Sequence, residues 1–499
     1  MGTQHPTGPD LWAGVDVGTQ SIRVMLCDEH GNVVGRGAGQ LSSSRAGTRH
    51  EQDPEQWWLV FCEASRAALQ EADSAGRPAA QRVRALAICA TSGTFLLADA
   101  SGRPQTTGLM YDDARAAADF DADRWRSVGH PAQPTWPLPR LAWLLEHGSP
   151  ELRREMGAGQ LGLRHCGDYI AERLTGHRVA TDWSHALKTG YDAGKQAWAT
   201  GPLDLLGLPE RFLPEVVRPG STIGSVGLAG AEHSAFVAGT PIRAGMTDGC
   251  AAQIAAGALD PGSWNSVLGT TLVVKGVSQQ PLTDPAGVVY SHRHPDQGWL
   301  PGGASSVGAG VIEQWFPGIN HELSDASAAK YEPAGGILYP LAGRGERFPF
   351  VRPDAAAFHS GHFTDDDDRY AAVLQAVAYV EKLTYAHLRR LGAATDGRHY
   401  ITGGATRSRY WNQLRADILG VPLELPFSAE PAFGMAVLAA AGDGPLNATA
   451  RRMIQPGTLV PPRPAAGDRF SSAYADFVAA LTTRGWIDED LSRNALEFA

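Results

Sequence analysis

Two short turns in this 499-residue chain carry residue types that suit a phosphate. One is Val15-Asp16-Val17-Gly18-Thr19-Gln20-Ser21-Ile22. The other is Ser266-Val267-Leu268-Gly269-Thr270-Thr271-Leu272-Val273. Each lies between two β-like runs and reads as the bend of a hairpin. Glycine keeps the backbone low, and the threonine hydroxyl and neighbouring N–H groups face outward, a surface that suits phosphate oxygens. The first turn adds the Asp16 carboxylate, which faces a phosphate only with a cation between them. Val267 holds the equivalent place in the second. Two related hairpins, one acidic and one not, point to a duplicated architecture closing on one nucleotide, ATP.

Asp248 offers a different chemistry. It stands in Ala244-Gly245-Met246-Thr247-Asp248-Gly249-Cys250-Ala251-Ala252, a small-residue loop that opens a helix. A carboxylate there is either the N-cap of that helix or a general base. As a base it would take a hydroxyl proton while the oxygen attacks a γ-phosphate. The spacing leaves both readings open. Other patterns carry less. Gly157-Ala158-Gly159-Gln160-Leu161-Gly162 matches a dinucleotide fingerprint by letter, but it follows a charged helical run where a strand is required. The chain has neither a P-loop nor a Gly-x-Ser-x-Gly elbow. His292, His294, His359 and His362 lack further ligands at metal-site spacing and read as surface or core residues. Asp365 to Asp368 reads as a solvated loop leading into a helix.

The elements that must position these residues are mixed α and β. Trp12–Val17, Ile22–Leu26 and Val33-Val34 read as a meander, and Glu55–Glu71 as an amphipathic helix with Trp58, Phe61, Cys62 and Leu69 on its core face. Val83–Cys89 is a strand ending at Thr91-Ser92-Gly93-Thr94. Residues 137–176 read as helical with breaks. Gly249–Ala258, Tyr370–Leu391, Tyr410–Leu419 and Ala432–Ala441 read as helices, and Tyr400-Ile401 ends a strand at Thr402-Gly403-Gly404-Ala405. Asp260-Pro261-Gly262 is a turn, so the expected organisation is a first domain over 11–257, a second over 258–445 and an extension over 446–499 packed on the second. The net charge of -10 argues against nucleic-acid and anionic-membrane partners. No apolar run reaches membrane-spanning length. The N-terminus is polar, and Pro6 spoils Met1-Gly2 as a myristoylation site. Five scattered cysteines predict reduced, packed thiols and a cytoplasmic location. The sequon at Asn447 is read as chance.

Taken together, the motifs resemble those of the FGGY carbohydrate kinases, of the actin-like ATPase superfamily. The resemblance runs from about residue 11 to 445. It covers Gly14–Ser21, His50-Glu51-Gln52-Asp53-Pro54 with Trp57-Trp58, Tyr111-Asp112-Asp113-Ala114-Arg115, Leu213-Pro214-Glu215, Asp248–Ala252, Ser266–Thr271, Gly345–Pro349, Thr402–Ser408 with Trp411, and Phe433-Gly434-Met435-Ala436. It implies two ribonuclease-H-like α/β domains flanking a nucleotide and sugar cleft, with hinge motion. It implies Asp248 as catalytic base and Asp16 in the Mg²⁺ and sugar region. Thr19 then belongs to the first phosphate loop and Gly269-Thr270 to the second, while Gly404, Ala405 and Ser408 fall on the adenosine loop. The family often has a third glycine where Ala405 stands. Thr91-Ser92-Gly93-Thr94 replaces the Gln-Met-His stretch usual in xylulokinases. With Asp182–Tyr191 and Arg344–Pro349, it is similar to plant and cyanobacterial pentulose kinases that favour D-ribulose. Ser92 would then bond a sugar hydroxyl, or act as a turn serine satisfying its own backbone. The expected activity is transfer of the ATP γ-phosphate to D-ribulose first and D-xylulose second, with a homo-oligomer left open.

Overall fold

The computed structural model describes residues 8–73, 78–464 and 466–497. The polar stretch Met1–Thr7, with Gly2 and Pro6, lies outside them. Leu11–Val17 is apolar along most of its length, as suits a strand covered on both faces, and it forms β1, buried at all but one residue. β2 (Ser21–Asp28) and β3 (Val33–Gln40) complete an antiparallel meander. Asp53 caps α1 (Pro54–Ala72) by accepting from the Glu55 N–H at 2.9 Å, and Pro54 takes a first-turn position whose N–H would be unpaired anyway. α1 lies on β3 because that strand presents glycine: a Cβ on Gly37 would stand 1.9 Å from the Ala64 carbonyl oxygen.

Five further strands and two helices of this first unit matter to the site. They are β4 (Val83–Ala90), β5 (Phe95–Asp99), β6 (Leu161–His165), α2 (Cys166–Thr175), β7 (Thr222–Ser225), β8 (Pro241–Arg243) and α3 (Asp248–Ala256). The main sheet has the order β7-β8-β4-β1-β2-β3, with β4 parallel to β1 and β8 parallel to β4. β5 and β6 pair antiparallel in a separate sheet. The reading of 137–176 as interrupted helix is therefore corrected at Leu161–His165. Its Leu161 and Leu163 are buried by pairing with β5, a partner more than 60 residues away in the chain. The dinucleotide-like glycines mark only the exit of the helix Pro150–Gly157 into this strand.

The second unit repeats the plan. β9 (Trp264–Leu268) and β10 (Leu272–Gly276) form the second hairpin, followed by β11 (Tyr290–Arg293) and β12 (Trp299–Ala304). The long helix α4 (Asp366–Arg390) runs through the core beside Trp411 and Phe477. β13 (His399–Thr402), α5 (Arg409–Leu419) and β14 (Leu423–Leu425) follow. The sheet order is β11-β12-β10-β9-β13-β14, with a short strand at Thr458–Val460 on the outer edge. β13 lies parallel to β9, as β4 does to β1. Asp365, Asp366 and Asp367 are exposed where the chain enters α4, as expected, but Asp368 is not solvated. Asp365 caps α4, and the buried Asp368 accepts from the N–H groups of Gly335 at 2.9 Å and Thr364 at 2.8 Å.

After β14 the chain returns to the first unit. Residues up to Gly257 form one compact unit together with Ser428–Gln455, and the second comprises Ala258–Phe427 and the segment from Pro456. In its packing, then, the segment 428–455 goes with the first unit, although the expectation had 428–445 and 446–455 packed with the second. The cause is α5's successor, α6 (Pro431–Ala441), a helix of small residues. It packs on β1 and α3 at distances only glycine permits: a Cβ on Gly14 would stand 1.7 Å from the Ala432 oxygen, and one on Gly434 would stand 2.1 Å from the Ala251 oxygen. All five cysteines are buried and unbridged. Among the described residues no helix is long and apolar enough to cross a membrane.

Candidate active site

In the first unit, neighbouring strands end together. Asp16 pairs with Cys89 and Val17 with Ala90 across parallel β1 and β4, and Ala90 forms a parallel bridge to Thr247. The chain leaves these ends as Gly18-Thr19, as Thr91-Ser92 and as Asp248. The carboxyl ends of parallel strands are where open α/β sheets bind ligands, because loops and helix N-termini converge there. Three residues singled out from the sequence, Asp16, Ser92 and Asp248, are thus brought to one edge of one unit.

Asp16 is only 5 % exposed. Burial pushes its carboxyl up to about 7, helped by the negative charge of Asp248 and, more weakly, Glu430; Arg23 at 3.8 Å and a hydrogen bond from Cys89 oppose the rise. Asp248 is half-buried and is the first residue of α3. The N-cap backbone position belongs to Thr247, whose side chain makes no capping bond. One Asp248 oxygen accepts from the Gly249 N–H at 2.7 Å, and the helix N-terminus favours its negative charge.

Ser92 sits in a turn whose shape other side chains set. The Thr91 and Thr94 hydroxyls bond each other at 2.6 Å. Arg140, fully buried, donates to the carbonyls of Gly93, Leu109 and Met110, and burial lowers its pKa to about 9. The Ser92 Oγ is buried with no hydrogen-bond partner. It does not satisfy its own backbone, so the turn-serine reading is not realised. A buried, unpaired hydroxyl is costly unless something else pairs it. The Gly18-Thr19 turn is braced by a relay: Trp57 Nε1 donates to Gln52 Oε1 at 2.7 Å, and Gln52 Nε2 donates to the Thr19 carbonyl at 2.6 Å. Gln52 and Arg140 had no role in the sequence reading. Gln52 lay within a recognised motif, whereas Arg140 gave no signal in its helical surroundings.

In the second unit the Gly269-Thr270 and Gly404-Ala405 loops also leave adjacent strand ends, since Val267 pairs with Thr402. Gly403 has φ +94°, and a Cβ there would stand 2.5 Å from the Leu268 oxygen, so glycine is required where β13 ends against β9. The Gly269 N–H turns inward to the Thr271 oxygen at 3.1 Å, and the carbonyls of Gly269 and Thr270 accept from Ala309 and Gly310. What this turn presents outward is the exposed Thr270 side chain. Gly404 is exposed with open space above it, and Ala405 is half-buried against the core. The Ser408 hydroxyl donates to Asp325 at 2.6 Å and accepts from the Trp411 N–H at 2.9 Å, which makes it the cap of α5.

Among the described residues no group of three or more His, Cys, Asp or Glu side chains is placed to hold a metal by itself. His292 and His294 are buried, and His359 and His362 are exposed. The Asp16 carboxylate does fit a shared Mg²⁺. Such ions are held by one or two carboxylates with water and substrate phosphates completing the shell, and the surplus negative charge around Asp16 is what a cation relieves.

Residues 11–255 match the N-terminal domain model, and residues 264–442 the C-terminal domain model, of the FGGY family of carbohydrate kinases. A xylulose kinase of Streptomyces rubiginosus is 31% identical over 472 residues, covering 89% of this chain and 91% of its own. An autoinducer-2 kinase of Yersinia enterocolitica is 26% identical over 475 residues, covering 88% and 87%. The fold matches a xylulose kinase from Rhodospirillum rubrum, with TM-score 0.82 at 24% identity over 95% of this chain and 99% of that one. It also matches a gluconate kinase from Lactobacillus acidophilus, with TM-score 0.84 at 20% identity over 99% and 100%. With both domain models matched in order across most of its length, the chain belongs to the FGGY family of carbohydrate kinases.

Proposed function

We propose that this family member is an ATP-dependent pentulose kinase. The observation that carries the reading is the convergence of Asp248, Asp16 and the unpartnered Ser92 Oγ at adjacent strand ends. The Ser92 hydroxyl pairs with a sugar hydroxyl. Asp248 accepts the proton of the attacking sugar oxygen as the bond to the γ-phosphorus forms and the bond to the β,γ-bridging oxygen breaks, leaving ADP. Asp16 is the residue that would hold Mg²⁺, and a bound cation there neutralises phosphate charge. Thr19 and Thr270 face phosphate oxygens, while Gly404, Ala405 and the backbone near Ser408 offer a surface for the adenosine. The use of ATP and five buried thiols support a cytoplasmic location.

The sugar is the finer question. Relatives named xylulose kinases support D-xylulose. The Thr91-Ser92-Gly93-Thr94 turn, with its free hydroxyl, is what supports D-ribulose. ADP release measured with D-xylulose, D-ribulose, L-ribulose, glycerol and no sugar tests both. ADP release that is indifferent to sugar would replace the kinase reading with a plain ATPase. A preference for glycerol would keep the kinase and remove the pentulose.

A further inference from the structure

Behind these strand ends lies a buried polar cluster that the proposed reaction does not use. Asp182, Ser184 and His185 are each at most 3 % exposed. Asp182 caps the short helix Trp183–Ala186. Its Oδ1 accepts the Ser184 hydroxyl at 2.6 Å, and its Oδ2 pairs with His185 Nδ1. From there the network extends in two directions. The Thr247 N–H donates to Ser184 Oγ at 2.9 Å, and His185 Nε2 faces the Ala90 carbonyl at 3.3 Å.

The direction of each bond follows from chemistry. A carboxylate and a carbonyl only accept, so both ring nitrogens of His185 carry protons and the ring is an imidazolium. Burial works against that charge, but the Asp182 carboxylate overcomes it, with help from Asp168, and lifts His185 to about 9; Asp182 is lowered in turn. Ser184 gives its proton to Asp182 and so offers only lone pairs to the Thr247 N–H. Ala90 is the last residue before the Thr91-Ser92 turn, and Thr247 is the last before Asp248. One carboxylate therefore tethers both segments from behind. A buried ion pair is a poor device for stability, since apolar side chains of similar volume do as well. Its advantage is directional: it fixes two backbone groups at set distances.

We propose that Asp182, Ser184 and His185 are positioning residues that aim Asp248 at the sugar held by the 91–94 turn. The proposal rests on the reading of Asp248 as the base. Ser184→Ala is expected to lower kcat about 10- to 100-fold, the range a small misplacement of a reacting group costs, with the KM for ATP unchanged. Ser184→Thr, which keeps the hydroxyl, should restore most of the loss. In an Asp248→Asn background Ser184→Ala should cost nothing further, because its effect passes through Asp248. Turnover of Ser184→Ala within twofold of the parent overturns the proposal, as does a full multiplicative loss in the double variant. Should Ser184→Ala not fold, ¹⁵N NMR of the unaltered protein decides: both His185 nitrogens protonated at pH 7 supports the clamp, and a neutral tautomer overturns it. An Asp248→Asn enzyme with native turnover would instead sink the base reading, leaving the NMR result to judge the clamp.

Discussion

Asp248 is the first residue of its helix, and the acceptor it offers to the Gly249 N–H is one that an asparagine also supplies. Asp248→Asn should therefore preserve the fold and nucleotide binding while reducing sugar phosphorylation by about 10²- to 10⁴-fold, the usual loss for a general base. The check is coupled ADP release beside a melting curve. Asp16 makes a prediction about pH. Its ordinary value of 3.8 is raised to about 7 in the folded chain, by burial first and by Asp248 second. Between those values the folded chain keeps a proton that the unfolded chain has lost. Stability must then fall as pH rises through that window and level off above it, by a few kcal/mol on the order of the shift. In chelator, Asp16→Asn should match the parent near pH 4 and exceed it at pH 8, with Mg²⁺ narrowing the gap. Parallel stability curves for the two proteins would refute this.

At the level of elements, the site depends on how closely three of them approach. α6 lies on β1 and α3 only because Gly14 and Gly434 carry no side chain. At Gly14 the obstacle is backbone, which has no rotamer to yield. Gly14→Ala should thus cost at least the roughly 1–3 kcal/mol of overpacking, and it should displace β1, whose end carries Asp16 and Thr19. Denaturant titration is expected to show the lower midpoint, with activity lost even where the variant is folded. By contrast Gly404→Ala, with open space around it, should leave the midpoint unchanged and alter only the KM for ATP. In the second hairpin the Gly269 N–H is committed to the Thr271 oxygen, so a phosphate would meet chiefly the exposed Thr270.

For the whole molecule the open variable is substrate choice. Pentuloses differ in hydroxyl configuration, so discrimination comes from hydrogen bonds that the wrong epimer leaves unmade. Each such loss is worth roughly 1–3 kcal/mol, or about 5- to 150-fold. Ser92→Ala should reduce kcat/KM for the preferred pentulose far more than it changes the KM for ATP, and it should shrink the ratio between D-ribulose and D-xylulose. An unchanged ratio would remove Ser92 from sugar recognition. A tenfold preference of the parent for D-xylulose would place this chain with its xylulose kinase relatives and retire the D-ribulose reading.

Much of this was legible in the residues because the information is local. The turns at Gly18 and Gly269 lie between runs whose alternation is visible over a few residues, and both hairpins form where expected. α3, α5 and α6 begin and end within a few residues of their sequence-read limits. The composition of β1 announces burial on both faces before any partner is known. What the sequence could not hold is pairing between distant segments. Leu161–His165 is a strand because β5 lies beside it, and Asp368 is buried because the Gly335 and Thr364 amides need an acceptor. α6 returns to the first unit because two glycines, one near each end of the chain, open the space for it. The Asp182 cluster is the extreme case. Its bonds to Ala90 and Thr247 span 95 and 63 residues along the sequence, and no spacing rule connects them. Hydrophobic period and turn chemistry are properties of a window of residues. Hydrogen-bond satisfaction in a buried interior belongs to the packed chain, and it alone decided which polar groups were spent on structure and which were left for a substrate.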